Sequence, residues 1–472
     1  MRRRIFMRVL SVLALATTSA YANDWGGKNG SNAGNNLLNG ASLVSSRQGE
    51  SVGWADVDGD GVNDKIVGAP YASSPSNTGT ALVFKGDMQG GFASSPHLLL
   101  AGDDNYGYSF VNLGDVDGDG CEDFAVGAIN GDGANVSLGG SVTVYRGGRN
   151  WNFNEGLGKI VAKLSGEGPM DKFGLFVAAA DVNGDGKKDL IVGAPYNTSD
   201  PALYQGGAAY VYFAPDFTVK VALHASALAT GLGWSAAAGD INGDGVQDLC
   251  ISASGRALCY YGGTGFHPSI DAPDMVIRSA AAGFAKALAV VGDLDGDGLG
   301  DIVIGAPNAT VGGNRDTGSI FVVRGGTGKR TVNADTASSD RIVRIDGANL
   351  FDRFGASIAA VGDIDGDGMP DFAVGAPLAG TDAFRLTGKV YFFKGMNISG
   401  TATLADATRF EGVAENQRYG TSLAPAGPGR LLIGTPGANM NSGGVATADL
   451  FTGQSVQDGG SGDGTGGDGG CP

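Results

Sequence analysis

The chain has 472 residues, 84 of them glycine, and a formal charge of −17. That excess of acid excludes nucleic acid and anionic membrane surfaces as natural partners, because both would repel it. Hydrophobic residues make up 42%, too many for a disordered chain, and with so many turn glycines the composition fits an all-β protein.

The N-terminus reads as a targeting segment. Four arginines (Arg2, Arg3, Arg4 and Arg8) precede the apolar run Val9–Ala16 and the small-residue site Ala20-Tyr-Ala22. This is the pattern of a secretory signal peptide over residues 1–22, cleaved after Ala22. Removing four positive charges takes −17 to −21. The apolar run is too short to span a bilayer, and no later stretch is long enough. The expectation is an exported chain, secreted or held at the cell surface, with no membrane span.

From there a unit repeats. An acidic nonapeptide occurs six times, starting at Asp56, Asp115, Asp181, Asp240, Asp293 and Asp363. An aromatic-glycine entry precedes it, as in Tyr106-Gly107, Phe173-Gly174 and Phe354-Gly355. A short apolar strand follows, often ending Gly-Ala-Pro (Gly68–Pro70, Gly193–Pro195, Gly305–Pro307, Gly375–Pro377). A polar loop, a β-branched or aromatic strand and a fourth apolar stretch complete each unit. Four strands separated by turn signals make one propeller blade.

A seventh unit begins at Tyr419-Gly420, with strands at Leu431–Pro436 and Gly444–Phe451. Ala424-Pro-Ala-Gly-Pro-Gly429 stands in place of the acidic loop. This unit has no evident fourth strand, whereas Gly34–Gly40 resembles the blade-closing Leu98–Gly102. The expectation is an all-β, seven-bladed β-propeller of four-stranded blades over residues 23–453. An N-terminal strand closes it against 444–451, and closure removes exposed sheet edges. Residues 454–472, rich in Gly and Asp, read as a flexible tail.

The acidic loops have the chemistry of calcium sites. Side chains at positions one, three and five of a tight turn face one centre, position seven offers a backbone carbonyl, and position nine closes the shell. Glycine at position six permits the bend. The expected ligands are Asp56, Asp58, Asp60, Val62 and Asp64 in loop one, and Asp115, Asp117, Asp119, Cys121 and Asp123 in loop two. Loop three supplies Asp181, Asn183, Asp185, Lys187 and Asp189, and loop four Asp240, Asn242, Asp244, Val246 and Asp248. Loop five supplies Asp293, Asp295, Asp297, Leu299 and Asp301, and loop six Asp363, Asp365, Asp367, Met369 and Asp371. Hard oxygens in this number suit Ca²⁺, about six ions in all, rather than a thiolate-seeking metal. Cys121 holds position seven, where only the carbonyl is needed. Carboxylates this crowded would repel without a cation, which argues against acid–base catalysis.

The entry, the acidic loop and the Gly-Ala-Pro exit, recurring in that order, resemble FG-GAP repeats, as in the β-propeller of integrin α subunits. The resemblance covers residues 34–453 and implies a calcium-binding cell-adhesion or protein-interaction module, with partner contacts where the loops between strands two and three and between blades gather. This sequence departs by carrying acidic loops in blades one to six, by weakened entries (Gln48-Gly49, Leu232-Gly233, Phe284-Ala285), and by having neither leg domains nor a transmembrane helix.

Other chemistry is thin. His97, His224 and His267 have no metal-ligand spacing, and no nucleophile elbow is present, so no enzyme and no catalytic residue are expected. Cys250 and Cys259 would face each other across a hairpin turning at Ser254-Gly255, as a disulfide or as two reduced thiols; the pairing of Cys121 and Cys471 stays open. Four Asn-x-Ser/Thr sites occur, at Asn135, Asn197, Asn308 and Asn397. The partner is expected to be an extracellular protein or glycan. The alternative is a lectin-like propeller, or a hydrolase with a pocket on the propeller face.

Overall fold

The computed structural model describes Leu15–Ala16, residues 47–450 and residues 454–458, apart from short loop segments such as 73–78, 133–136, 149–159, 199–204 and 438–443. Seven sheets follow one another along the chain, each built on four antiparallel strands in meander order. Blade one consists of Val52–Ala55, Asp64–Ala69, Thr80–Phe84 and Leu98–Ala101. First strands of neighbouring blades touch all the way round, blade seven against blade one included. The fold is the seven-bladed β-propeller of four-stranded blades that the repeats predict.

In blades one, two, three, five and six the second and third strands are buried along their whole length, as in Asp123–Ala128 and Ser141–Tyr145, because neighbouring blades cover both their faces. They therefore read as continuous apolar runs. Fourth strands are less buried, and some alternate, as in Lys220–His224. Between blades five and six, Ile320 and Val322 pack with Phe354, Phe372 and Phe393. Burial of each such side chain contributes about 1.5–3 kcal/mol.

The entry and exit glycines meet across blade boundaries. A Cβ on Gly68 would collide with the carbonyl of Gly107, and one on Gly434 with the carbonyl of Gly49. A serine two residues past the entry glycine then reaches the same carbonyl of the next blade. Ser51 Oγ donates to Gly107 O at 3.0 Å, Ser109 to Gly174 at 2.7 Å, Ser235 to Ala285 at 3.1 Å and Ser357 to Gly420 at 2.7 Å. Blade seven repeats the bond to blade one, Ser422 Oγ to Gly49 O at 3.1 Å.

That bond corrects the expected closure. The fourth place in blade seven belongs to Gln454–Asp458, antiparallel to Gly444–Asp449. The expected closing strand, 34–40, lies outside the described residues, as does the signal-peptide cleavage site; Leu15–Ala16 pairs in parallel with Ser357 and Ile358 of blade six. The strand also shortens the expected tail, which began at 454. The physical reason is that a propeller ring does not require strand exchange. The seven–one boundary is sealed by the same serine bond and by Val52, Val67, Leu82 and Phe84 packed on Ala424, Leu432 and Val445.

One element was not foreseen. Between the third and fourth strands of blade five, Arg330–Asn333 swings out to pair in parallel with Met275–Arg278, adding a fifth strand to blade four. Because the first strands of blades one to six begin at the entry motif and end at the acidic loop, the ring has an entry face and an acidic face.

Candidate metal centres

On the acidic face the six nonapeptides fold alike. The position-one carboxylate accepts the N–H of position five (Asp60 to Asp56, 3.0 Å; Asp367 to Asp363, 3.2 Å) and of the position-six glycine (Gly61 to Asp56, 2.8 Å; Gly368 to Asp363, 2.9 Å). Position five accepts the N–H of position seven, as Asp119 does from Cys121 at 2.9 Å. These Asx-type bonds fold each loop on itself. Glycines at positions four and six both take positive φ, 69° at Gly59 and 84° at Gly61, for example. The sequence reading assigned that need to position six alone.

Position nine is the buried anchor: Asp123, Asp189, Asp301 and Asp371 are 0% exposed. One oxygen accepts the position-two N–H, as Asp301 does from Leu294 at 2.8 Å. The other accepts a backbone N–H just past the third strand, from Gly86, Gly147, Ala214, Gly262, Gly325 or Gly395. Burial pushes the Asp64 and Asp301 carboxyls up to about 7 and those of Asp123, Asp189 and Asp248 up to about 6, the backbone bonds pulling the other way. Asp371 is raised by the same cause.

Carboxylate oxygens gather within 4.8 Å of one another in Asp56/Asp58/Asp64, Asp115/Asp117/Asp123, Asp363/Asp365/Asp371 and Asp293/Asp295/Asp297. In loops three and four, position three is an amide that donates to position five, Asn183 to Asp185 at 3.2 Å and Asn242 to Asp244 at 3.0 Å. The donor set fits a hard divalent cation. Asp58 Oδ1 is buried with no hydrogen-bond partner, an atom with capacity left for one.

Adjacent loops also touch, which the sequence did not announce. Cys121, 2% exposed, covers the position-four glycine of loop one, where a Cβ on Gly59 would lie 2.8 Å from its Sγ. Leu299 covers Gly243 in the same way. Position eight bonds the preceding loop: Glu122 N–H to Asp56 O and Gly300 N–H to Asp240 O, both 2.9 Å. The position-seven side chains of Cys121 and Leu299 are thus packing groups between loops.

The entry face gathers different chemistry. Arg47, Lys172, Lys286, Arg353 and Arg418 all lie beside the entry positions. Arg47 lies over Tyr71 at 5.0 Å, Tyr196 stacks edge-on against Trp234 at 5.4 Å, and Lys286 sits over Trp234 at 3.1 Å. Glu50, buried between Arg47 and Arg418, has its carboxyl raised to about 7 by burial. Basic and aromatic side chains thus gather at the entry positions, with Glu50, Asp171 and Asp352 beside them.

The histidines stay apart, His224 pairing with Glu167 at 2.7 Å. Cys250 and Cys259 stand opposite in the hairpin and form a disulfide. Asn197 is 3% exposed and donates to Asp171 at 2.8 Å, which removes it as an open glycan acceptor. An open hollow of about 540 Å³ lies at the outer edges of blades two and three, lined by Lys163, Leu164, Tyr212 and Lys220 among others.

The FG-GAP repeat model matches residues 48–84, 173–212, 232–266, 284–323 and 354–393, in blades one, three, four, five and six. This is an FG-GAP repeat β-propeller. Three of those matched repeats have the weakened entries, while blade two, with an intact Tyr106-Gly107, lies outside the match. Among curated relatives, integrin alpha-5 of Xenopus laevis is 29% identical over 302 residues, 62% of this chain and 22% of its own. Integrin alpha-V of Gallus gallus is 33% identical over 174 residues, 35% of this chain and 15% of its own. Integrin alpha pat-2 of Caenorhabditis elegans is 29% identical over 288 residues, 60% and 19%. The FG-GAP propeller thus resembles integrin α subunits while spanning less than a quarter of their length.

Proposed function

We propose that this FG-GAP propeller is an exported, non-enzymatic adhesion or protein-interaction module whose blades are braced by calcium in the six acidic loops. The observation that carries it is the sixfold recurrence of one loop fold around a buried position-nine aspartate. Positions one, three, five and nine and the position-seven carbonyl would hold the ion. Bound calcium would supply the positive charge that these carboxylates lack. The chain's own contribution is to fold each loop with its N–H groups before binding and to tie loop, second strand and third strand together through position nine. The cationic and aromatic entry face is the proposed surface for an extracellular protein or glycan, and it lies opposite the metal loops.

Calcium at a hundredfold excess over its dissociation constant stabilises by about 2.7 kcal/mol per site. Excess chelator should therefore lower the melting temperature by many degrees, with recovery on adding calcium. An unchanged melt sinks the metal reading. Glycan and matrix-protein arrays run on the folded chain test the partner reading.

A further inference from the structure

Position three is not uniform, and its variation has a counterpart elsewhere in each blade. The residue just past the third strand is Lys85, Arg146, Arg324 or Lys394 in blades one, two, five and six, but Phe213 and Tyr261 in blades three and four. Those two blades are the ones with asparagine at position three. The residue is equivalently placed in all six, because the N–H that follows it is held by the position-nine carboxylate each time.

Where position three is aspartate, the basic side chain reaches it. Lys85 pairs with Asp58 and lies 3.0 Å from Asp60 Oδ2. Arg146 Nε lies 3.1 Å from Asp117 Oδ2, Arg324 Nε 2.8 Å from Asp295 Oδ2, and Lys394 Nζ 2.9 Å from Asp365 Oδ2. Over positions one, three, five and nine plus this residue, four loops hold four aspartates and one cation, and two hold three aspartates and none. Each set of five comes to −3. Outside that set, Glu122 of loop two bonds Asp56 N–H and Asn112, Lys187 stands at position seven of loop three, and Lys188 beside it lies near Gly114 of blade two.

We propose that the residue after the third strand is the counter-charge of position three, so that each pair holds its ligand set at −3 and tunes its cation affinity. This rests on the calcium reading of the loops. A fixed positive charge this close opposes a divalent cation, and affinity in oxygen-ligand loops follows the ligand charge count. A loop at −4 should bind tighter, and one at −2 weaker. Asparagine without the cation and aspartate with it are then two solutions to one electrostatic requirement.

The test reads each loop separately, by hydrogen exchange of the loop peptides in the full chain against free calcium. In the wild type, all six midpoints should fall within a few-fold of one another. Lys394→Phe should lower the loop-six midpoint roughly tenfold, and Phe213→Lys should raise the loop-three midpoint by a similar factor. Both shifts should shrink at high salt. Lys394→Met gives the same readout with a slimmer side chain. Responsive wild-type loops whose midpoints do not move in these variants, or a weaker loop six in Lys394→Phe, would overturn the pairing alone. Wild-type loops with no calcium response would overturn the calcium reading and this inference with it.

Discussion

Asp301 lets the metal-free loop be examined through its pH dependence. Its side chain is fully buried and its carboxyl is pushed up to about 7 from an ordinary 3.8. A carboxyl that is a weaker acid when folded binds more protons in the native state, so stability falls as pH rises between the two values. At about 1.4 kcal/mol per pH unit, Asp301 costs the metal-free protein roughly 4 kcal/mol at pH 8 and roughly 2 at pH 5.5. Asp64 and Glu50, also near 7, add shifts of similar sign, and Asp123, Asp189 and Asp248, near 6, add smaller ones.

In chelator, the wild type should therefore become more stable by several kcal/mol as pH drops from 8 to 5.5. In saturating calcium the trend should reverse, because protons compete with the cation for the same oxygens. Asp301→Asn loses one of two backbone hydrogen bonds, about 1–3 kcal/mol. Relative to wild type in chelator, it should nevertheless improve by about 2 kcal/mol on going from pH 5.5 to 8. Calorimetric melts of both proteins at the two pH values, with chelator and with calcium, measure this. A metal-free wild type that loses stability on acidification across that window would refute the reasoning.

Ser422→Ala removes the bond across the seven–one boundary and leaves the Gly49 carbonyl short of a donor. Denaturant titration should give a loss of about 1–3 kcal/mol, similar to that of Ser51→Ala at the one–two boundary. Gly375→Val drives a side chain into the Gly420 carbonyl and should cost about 1–3 kcal/mol or more; a neutral result by the same titration would contradict the close approach. Reduction, or the Cys250→Ala/Cys259→Ala variant, should cost about 2–3 kcal/mol for so short a loop, read as a lower melting temperature.

The blade count, the strand order and the positions of the six acidic loops were legible in the sequence because each is local. An aromatic-glycine entry, an acidic nonapeptide and a short apolar strand recur within stretches of about twenty residues. The facing of Cys250 and Cys259 was equally local, since a two-residue turn sets them opposite one another, while the bond between them was left open. The signals for blade contacts were also written there, as the serine two residues past the entry glycine and the glycine of the exit. Their meaning required a neighbour some sixty residues away, or, for Ser422 and Gly49, 373 away.

Tertiary structure alone decided how the ring closes. Gly34–Gly40 was the candidate the sequence offered for that edge, and Gln454–Asp458, polar and glycine-flanked, gave so little apolar pattern that it read as tail. It pairs because it follows directly on Gly444–Asp449, and backbone hydrogen bonding at a sheet edge needs no hydrophobic face. Tertiary structure likewise brought Lys394 to Asp365 and Lys85 to Asp58. Linear spacing, set by loops of unequal length, concealed a match that the sheet makes directly, because the end of the third strand and the loop before the second lie side by side.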